Sequence, residues 1–175
     1  MSRAAVFFDR DGVINASPGP GYVLTVAEFR LSEGIVEALR VVHERGALAI
    51  VVTSQKGVGK GLMSRDELDR IHDHMQEQLR KSGGGFDGVY AYTGEPDCPY
   101  RAKPDPDMIL RAAEDFDIDL ARSWMIGDAD RDIEMGLAAG VRGTIRIAGE
   151  KQQGMMADHT LLSPLEIANI LRKIL

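Results

Sequence analysis

The stretch that decides the fold is Ala4–Asn15, AAVFFDRDGVIN, in which five apolar residues run directly into two carboxylates separated by a single residue. A continuous apolar run of this length is typical of a strand that is buried on both faces of a parallel sheet. If the extended geometry continues past Phe8, the side chains of Asp9 and Asp11 project to one side and that of Arg10 to the other. The stretch therefore predicts a buried strand that ends in paired negative charge.

Four further apolar runs alternate with helical patterns along the rest of the chain. The runs are Ala47–Thr53, Gly88–Thr93, Ser123–Ile126 and Thr144–Ile147. Helical spacing of apolar residues, with capping residues, proline or glycine at the ends, predicts five helices. They begin after Ser32, at Ser64, at Asp105, at Ile133 and at Ser163. Alternation of this kind predicts an α/β fold, a doubly wound, Rossmann-like parallel sheet with helices on both faces.

Length and composition limit the size of the fold and the class of partner. The chain has 175 residues, 44% hydrophobic and 27% charged, which is enough for one core, so we expect a single domain over residues 1–175. The net charge of -6 disfavours binding to nucleic acid. Cys98 is the single cysteine, and no apolar stretch is long enough for a membrane span. These features predict a cytoplasmic protein, a monomer or small homo-oligomer, that binds neither nucleic acid nor membrane.

Polar side chains follow the predicted strands at the points where the strands end. Asp9 and Asp11 follow the first strand, Thr53–Lys56 come at the end of the second, and Asp128 follows the fourth. Ligands of parallel sheets bind at the carboxyl ends of the strands, so these groups should converge. Two close carboxylates repel each other unless a cation offsets their charge, and Mg²⁺ prefers oxygen ligands. The pattern therefore predicts a Mg²⁺ site to which Asp128 contributes.

Four short motifs occur in an order that points to one family. They are Asp9-x-Asp11-Gly12, Thr53, Lys103-Pro104 and Gly127-Asp128-x-x-x-Asp132. With these motifs the chain resembles the haloacid dehalogenase superfamily of phosphatases. The stretches Phe8–Asn15, Gly21–Val23 and Thr53–Gly57 are similar to the branch that contains heptose bisphosphate phosphatase and histidinol phosphatase. The resemblance extends from about Ala5 to about Gly143.

The resemblance implies a phosphoryl transfer in two steps. Asp9 attacks phosphorus and becomes an aspartyl phosphate, while Asp11 protonates the leaving oxygen and then deprotonates the attacking water. Thr53 and Lys103 bind the phosphoryl oxygens. The implied metal ligands are Asp9, Asp11 through its backbone carbonyl, Asp128 and Asp132, the last from a second layer or through water.

The residues that border the site are implied in the same way. The implied substrate-binding residues are Gly21, Tyr22, Ser54, Gln55, Lys56 and Arg101. The loop Asn15–Leu31 is too short for a folded cap domain, so we expect an open site with minimal or no cap. Arg101 is included because Ala102 stands where the family usually has an arginine, and Ala129 stands where it often has a lysine. The substrate pocket should therefore depart from the pattern of the branch.

The loop before Lys103 departs from the branch as well. Residues 93–103 contain one cysteine, Cys98, and no histidine, whereas the branch commonly carries a Cys/His zinc loop here. One thiolate does not make a structural zinc site, so we expect no structural zinc. Surface or partly packed positions without a chemical role are predicted for His43, His72, His74 and His159.

Together these features predict a Mg²⁺-dependent phosphomonoesterase that acts on a small phosphate ester. The resemblance favours a sugar phosphate such as heptose 1,7-bisphosphate, and histidinol phosphate is the alternative substrate. Two alternatives of another class are a receiver-like domain, which also has Asp, Thr and Lys at the ends of a parallel sheet, and a non-catalytic phosphate-binding protein. The third predicted strand ends at Tyr92–Gly94 without an aspartate, which disfavours a receiver.

Overall fold

Six parallel strands form one sheet in the computed structural model, which describes residues 2–149, 151 and 153–175. Within these residues the strands are β1 (Ala5–Phe8), β2 (Leu48–Ser54), β3 (Gly88–Tyr92), β4 (Trp124–Gly127), β5 (Gly143–Ile147) and β6 (His159–Leu161). The helices are α1 (Ile35–Glu44), α2 (Arg65–Lys81), α3 (Asp107–Phe116), α4 (Asp130–Ala139) and α5 (Ile167–Ile174). The strand order is β3-β2-β1-β4-β5-β6, and every adjacent pair is parallel.

β1 lies in the centre of the sheet, between β2 and β4. All of its residues are buried, as the apolar run predicts. Phe8 pairs with Val51 of β2 and with Ile126 of β4, so the carboxyl ends of these strands lie side by side. In a sheet of this order the direction of the crossovers reverses between β1 and β4, and ligands bind outside that point. Asp9 and Asp128 are the first residues beyond the two strands there.

The side chains of β1 alternate between two cores, one on each face of the sheet. Phe8 packs in the core that α1, α2 and α5 cover, and Phe7 packs in the core that α3 and α4 cover. Helices therefore lie on both faces of the parallel sheet. This arrangement confirms the predicted doubly wound, Rossmann-like α/β fold.

α2 begins at the predicted capping residue. Oγ of Ser64 accepts a hydrogen bond from the backbone N–H of Glu67 at 3.1 Å, which pairs one of the free N–H groups at the start of the helix. The buried face of α2 contains the predicted apolar residues Leu68, Ile71, Met75 and Leu79. None of the described helices combines the length and the apolar character that crossing a bilayer requires.

α5 begins at Ile167 rather than at the predicted Ser163, because Pro164–Glu166 form a separate 3-10 helix before it.

Two further elements differ from the prediction. α4 begins at Asp130 rather than at Ile133, because the Asp132 carboxylate accepts a hydrogen bond from the backbone N–H of Ala129 at 3.1 Å and so caps an additional turn. β6 has no predicted counterpart, since it is three residues long, lies at the edge of the sheet and lacks a continuous apolar run. Both differences depend on contacts that the local sequence pattern does not reveal.

The loop between β1 and α1 forms a flap without a folded cap. All residues from 15 to 31 are described, and their regular structure is limited to the 3-10 helix Val26–Glu28. Asn15 and Leu31 form an isolated bridge that closes the base of the flap. The expectation of minimal or no cap is confirmed.

Candidate active site

Three buried carboxylates meet where β1 and β4 end. Asp9 follows β1, Asp128 follows β4, and Asp132 lies in the first turn of α4. Each offers one oxygen, and these oxygens lie within 4.8 Å of one another. All three residues are buried. The structure thus brings together the three acidic residues whose convergence was predicted, and oxygen ligands at this spacing fit a hard divalent cation.

Two glycines allow the carboxylates to approach the strand ends. A Cβ atom at Gly127 would lie 2.2 Å from Cβ of Asp132, so a larger residue would displace the first turn of α4. Gly12 has a φ of +86°, and a Cβ atom there would lie 2.1 Å from Oδ2 of Asp128. Close packing around Asp128 and Asp132 therefore requires the glycine of both motifs.

Lys103 reaches the carboxylate cluster from the loop that follows β3. Its Nζ donates hydrogen bonds to Oδ1 of Asp9 at 2.8 Å and to Oδ1 of Asp132 at 2.7 Å. Burial lowers the pKa of the Lys103 ammonium, but the charges of the two carboxylates outweigh burial and raise this pKa above its ordinary value. Lys103 is therefore a cation throughout the physiological pH range.

The surroundings of Asp9 favour its neutral form. Burial, and after it the charge of Asp132, raise the pKa of Asp9 from 3.8 to about 7, although Lys103 opposes the shift. A divalent cation beside the carboxylates would favour the ionised form, because its charge is larger than that of the ammonium. The donor set and its excess of negative charge therefore fit Mg²⁺.

A lysine that the sequence analysis did not assign to the site contacts Asp128. Nζ of Lys151 lies 2.6 and 2.7 Å from the two carboxylate oxygens of Asp128. Burial raises the pKa of Asp128, and Lys151 opposes the shift. Lys151 follows β5 in a loop without a recognisable motif, so only the folded chain reveals its position.

Asp11 has different partners from Asp9. Its Oδ1 accepts hydrogen bonds from Nε and Nη2 of Arg10 at 3.2 and 3.0 Å, and from Nδ2 of Asn15 at 3.0 Å. The prediction that Arg10 projects away from Asp11 is wrong. The chain turns directly after Asp9, since the carbonyl oxygen of Arg10 accepts hydrogen bonds from the N–H groups of residues 13 to 15. The alternating side-chain directions of an extended strand therefore end at Asp9 and do not apply to Asp11.

His72 on α2 contacts the other side of Arg10. Its Nε2 lies 3.1 Å from Nη1 of Arg10, and both residues are buried. Burial, together with the charge of Arg10, lowers the pKa of His72 to about 3. The prediction of a surface or partly packed position is therefore wrong for His72, because the helical spacing did not show which polar residue of α2 faces the sheet. The side chains of the other three, His43, His74 and His159, are exposed or partly packed.

The end of β2 supplies polar groups to the same region. Oγ1 of Thr53 accepts a hydrogen bond from Nε2 of Gln55 at 2.8 Å, and this amide also lies 3.4 Å from Oδ2 of Asp11. Oγ of Ser54 and Oε1 of Gln55 are buried and have no hydrogen-bond partner among the described residues. Buried polar atoms are normally paired, so these groups are available to a polar ligand.

A cavity of about 170 Å³ opens beside Asp11. The predicted residues among its walls are Asp11, Gly21, Tyr22, Ser54 and Lys56. Two cations that were not predicted, Arg131 and Lys151, also line it. Gln55 is completely buried next to Thr53 and does not line the cavity.

The structure does not bring Arg101 to this cavity. Its side chain is 70% exposed, and its Nε lies 3.4 Å from Oδ2 of Asp105. Its backbone N–H donates a hydrogen bond to Asp107 at 2.9 Å, which fixes the loop at the start of α3. Arg101 therefore contacts residues close to it in the chain. These contacts do not support the prediction that Arg101 takes the place of the arginine that is absent at position 102.

Known proteins with similar sequences are sugar-bisphosphate phosphatases. The chain is 40% identical over 155 residues to the D-glycero-alpha-D-manno-heptose-1,7-bisphosphate 7-phosphatase of Burkholderia mallei, which covers 84% of this chain and 81% of that protein. It is 33% identical over 150 residues to the D-glycero-beta-D-manno-heptose-1,7-bisphosphate 7-phosphatase of Yersinia pestis, with 81% and 78% covered.

Two solved structures with similar folds belong to the same group of enzymes. The D,D-heptose 1.7-bisphosphate phosphatase of B. bronchiseptica, complexed with magnesium and phosphate, superposes with a TM-score of 0.82 at 25% identity, over 97% of this chain and 98% of that one. The corresponding enzyme of Burkholderia thailandensis gives a TM-score of 0.71 at 26% identity, over 96% and 97%. The sequence model of the haloacid dehalogenase-like hydrolases matches residues 19–140. By its strand-end carboxylates, its fold and these matches, the chain belongs to the haloacid dehalogenase-like hydrolase family.

Proposed function

We propose that this protein is a Mg²⁺-dependent phosphatase that removes the 7-phosphate of heptose 1,7-bisphosphate. The observation that carries the proposal is the buried cluster of Asp9, Asp128 and Asp132 beside Lys103, in a chain whose relatives bear the names of such phosphatases. Membership of the hydrolase family removes the receiver-like alternative. The presence of the complete acidic cluster argues against a non-catalytic binding protein.

Mg²⁺ fits the residues at the end of β1 and β4. Asp9, Asp128 and the backbone carbonyl of Asp11 would hold the ion, and Asp132 would orient the site from behind or through water. When bound, Mg²⁺ offsets the negative charge of the carboxylates and of the phosphoryl group. Magnesium and phosphate occur together in the similar structure of the B. bronchiseptica enzyme.

The first step of the proposed reaction transfers the phosphoryl group to Asp9. A carboxylate oxygen of Asp9 attacks phosphorus, and the bond between phosphorus and the sugar oxygen breaks. Asp11 gives its proton to that oxygen, so the sugar leaves as a neutral alcohol. Lys103, Thr53 and Ser54 donate hydrogen bonds to the phosphoryl oxygens, over which the transition state spreads its charge.

The second step hydrolyses the aspartyl phosphate. Asp11, now ionised, takes a proton from a water molecule, and the water oxygen attacks phosphorus. The bond between phosphorus and the Asp9 oxygen breaks, which releases inorganic phosphate and restores the Asp9 carboxylate. Asp11 ends the cycle protonated and ready for the next ester, so one carboxyl group acts first as acid and then as base.

The charges around the cavity support a substrate with a second phosphate. Lys56, Arg131 and Lys151 line the cavity that contains Asp11. Within the described part of the chain, Lys56 and Arg131 have no carboxylate within 4.0 Å. Such cations attract an additional phosphate and repel the ammonium group of histidinol phosphate. The residues bound to substrate in this cavity would then be Gly21, Tyr22, Ser54, Lys56 and Arg131, while Gln55 would act from behind through Thr53.

Kinetics with a set of phosphate esters test this function. We expect phosphate release from heptose 1,7-bisphosphate, in one of its two anomers, to exceed release from histidinol phosphate, nucleotides and p-nitrophenyl phosphate. Product analysis by NMR should show loss of the phosphate at carbon 7, and EDTA should abolish the reaction until Mg²⁺ is restored. A preference for histidinol phosphate or nucleotides would contradict the substrate, and no phosphate release from any ester would contradict the activity.

We also propose that residues 1–175 form one domain that works in the cytoplasm as a monomer or small homo-oligomer, without structural zinc. Cys98, the only cysteine, lies near backbone atoms, with its Sγ 3.5 Å from the N–H nitrogen of Thr93. Size-exclusion chromatography with light scattering checks the oligomeric state. Elemental analysis of the purified protein should find no stoichiometric zinc, and one zinc per chain would contradict this part of the proposal.

A further inference from the structure

A buried row of three side chains extends from the proposed proton donor to α2. Arg10 lies in the middle, with Nε and Nη2 donating to Oδ1 of Asp11 and Nη1 facing Nε2 of His72. Arg10 is completely buried, and its ion pair with Asp11 is the one it forms among the described residues. A fully buried guanidinium is costly unless its hydrogen bonds are satisfied, so its partners are integral to this part of the fold.

The direction of each hydrogen bond in this row is fixed by chemistry. A guanidinium group has N–H donors and no acceptor, so Nε2 of His72 must accept the hydrogen bond from Nη1 of Arg10. The ring proton of His72 is therefore on Nδ1. Because burial keeps His72 neutral, the acceptor is present at every pH at which the enzyme would work. His72 therefore fixes the Arg10 side chain through Nη1, and Arg10 in turn fixes the Asp11 carboxylate through Nε and Nη2.

The two oxygens of Asp11 are not equivalent in this arrangement. Oδ1 accepts two hydrogen bonds from Arg10 and one from Asn15, which leaves it no free lone pair for a proton. Among the residues that the structure describes, Oδ2 has a single long contact, with Nε2 of Gln55 at 3.4 Å. Asp11 also lines the cavity beside the carboxylate cluster. Oδ2 is therefore the oxygen that can carry a proton to a substrate.

We infer that Arg10 and His72 are positioning residues, which fix the rotamer of Asp11 so that Oδ2 delivers the proton to the leaving oxygen of the ester. This inference rests on the proposed phosphatase function and on Asp11 as its acid. Neither residue touches the phosphate in this role. Their effect should appear in the step that needs a proton and be small in a step that does not.

The choice of leaving group separates these two cases. A sugar alkoxide is a poor leaving group and must be protonated as the bond to phosphorus breaks, whereas p-nitrophenolate leaves without a proton. Rapid mixing of enzyme with p-nitrophenyl phosphate gives a burst of p-nitrophenolate that reports transfer to Asp9 alone. Formation of heptose 1-phosphate from heptose 1,7-bisphosphate under single-turnover conditions reports transfer with protonation, because the sugar leaves in the first step. Should the wild type prefer another sugar or alcohol phosphate, that alkyl ester replaces the heptose.

Three variants and one matched control make the comparison. We expect Arg10→Gln to slow alkyl ester cleavage about 100-fold, the contribution of a well-placed general acid, and to change the p-nitrophenolate burst rate less than about threefold. His72→Leu should slow the alkyl ester about tenfold, because one hydrogen bond to a charged group is lost. His72→Gln keeps a neutral acceptor and should restore the rate to within about threefold of wild type. His74→Gln, on the same helix but packed against Phe29, is the control and should leave both rates unchanged.

Equal losses with both leaving groups, or no loss in Arg10→Gln and His72→Leu, would overturn the inference. If Arg10→Gln does not fold, the pair His72→Leu and His72→Gln still decides, because a rate that Gln does not restore would also contradict it. Failure of the proposed function looks different, since the wild type would then release phosphate from no ester, and the inference would fall with it. If the wild type is active but the variants lose the same rate with both leaving groups, only the inference about Arg10 and His72 is contradicted, and the proposed function stands.

Discussion

Asp9 and Asp11 are chemically identical residues whose neighbours give them different roles. Asp9 lies against Lys103 and within the carboxylate cluster, where a bound cation favours the ionised form that a nucleophile needs. Asp11 lies beside this cluster, with one oxygen held by Arg10 and Asn15. The proposed division into nucleophile and proton donor therefore follows from the surroundings of each carboxyl group and not from the residue type.

The nucleophile is tested by Asp9→Asn. An amide of the same shape cannot attack phosphorus, so we expect phosphate release to fall by more than about 1,000-fold while the protein stays folded. Steady-state phosphate release and a thermal melt followed by circular dichroism check the two parts. Asp69→Asn, on the exposed face of α2, is the matched control. Activity of Asp9→Asn at the wild-type level would show that Asp9 is not the nucleophile.

The cations of the cavity are tested by Lys56→Ala and Arg131→Ala. Each should raise KM for heptose 1,7-bisphosphate about tenfold, because a hydrogen bond between two charged groups is lost. KM for p-nitrophenyl phosphate, which has no second phosphate, should change less than about twofold. Arg111→Ala on α3 serves as a control, since Arg111 does not line the cavity. An equal rise for both esters would mean that these cations hold the reacting phosphate instead.

At the scale of elements, the sequence predicts what depends on long apolar runs and misses what depends on contacts between distant loops. β1 and β2 were predicted because each is a continuous apolar run, and this placed Asp9 and Thr53 at one edge of the sheet. The turn after Asp9, which directs Arg10 towards His72, depends on backbone hydrogen bonds that no residue pattern marks. Lys151 was missed for a similar reason, because only its contact with Asp128 distinguishes it from other surface lysines.

α2 carries His72 behind the site, so its own stability can be tested separately from the chemistry. Ser64→Ala removes the oxygen that accepts a hydrogen bond from Glu67, and we expect a loss of about 1 kcal/mol in the free energy of unfolding. Urea denaturation measures this change. Ser82→Ala at the other end of α2 is the control and should cost less than about 0.5 kcal/mol. Phosphate release should stay at the wild-type level in both variants. A free energy of unfolding in Ser64→Ala equal to that of the wild type would argue against the cap.

At the scale of the whole molecule, local and overall charge have opposite signs. The chain carries a net charge of -6, yet Lys56, Arg131 and Lys151 surround the cavity beside Asp11. At physiological ionic strength charges are screened beyond about 8 Å, so an anionic substrate at the cavity responds mainly to these cations. Net charge, which sequence composition gives directly, is therefore a guide to unsuitable partners such as nucleic acid and a poor guide to the substrate.

Global stability should depend on pH through His72. Its pKa is about 3 in the folded protein and 6.5 in the unfolded chain, so between these values the unfolded state binds more protons and stability falls as pH falls. The expected contribution is a loss of about 2 kcal/mol between pH 7 and pH 5, from about 1.4 kcal/mol per pKa unit. The raised pKa of Asp9, about 7 in the fold against 3.8 in the unfolded chain, acts in the opposite direction throughout this range, because the protonated form of Asp9 is favoured in the fold. The informative quantity is therefore the difference between wild type and His72→Gln, measured by urea denaturation at both pH values. Replacement of His72 should make the decrease in stability smaller by about 2 kcal/mol, whereas equal decreases in the two proteins would show that His72 is not held neutral by burial.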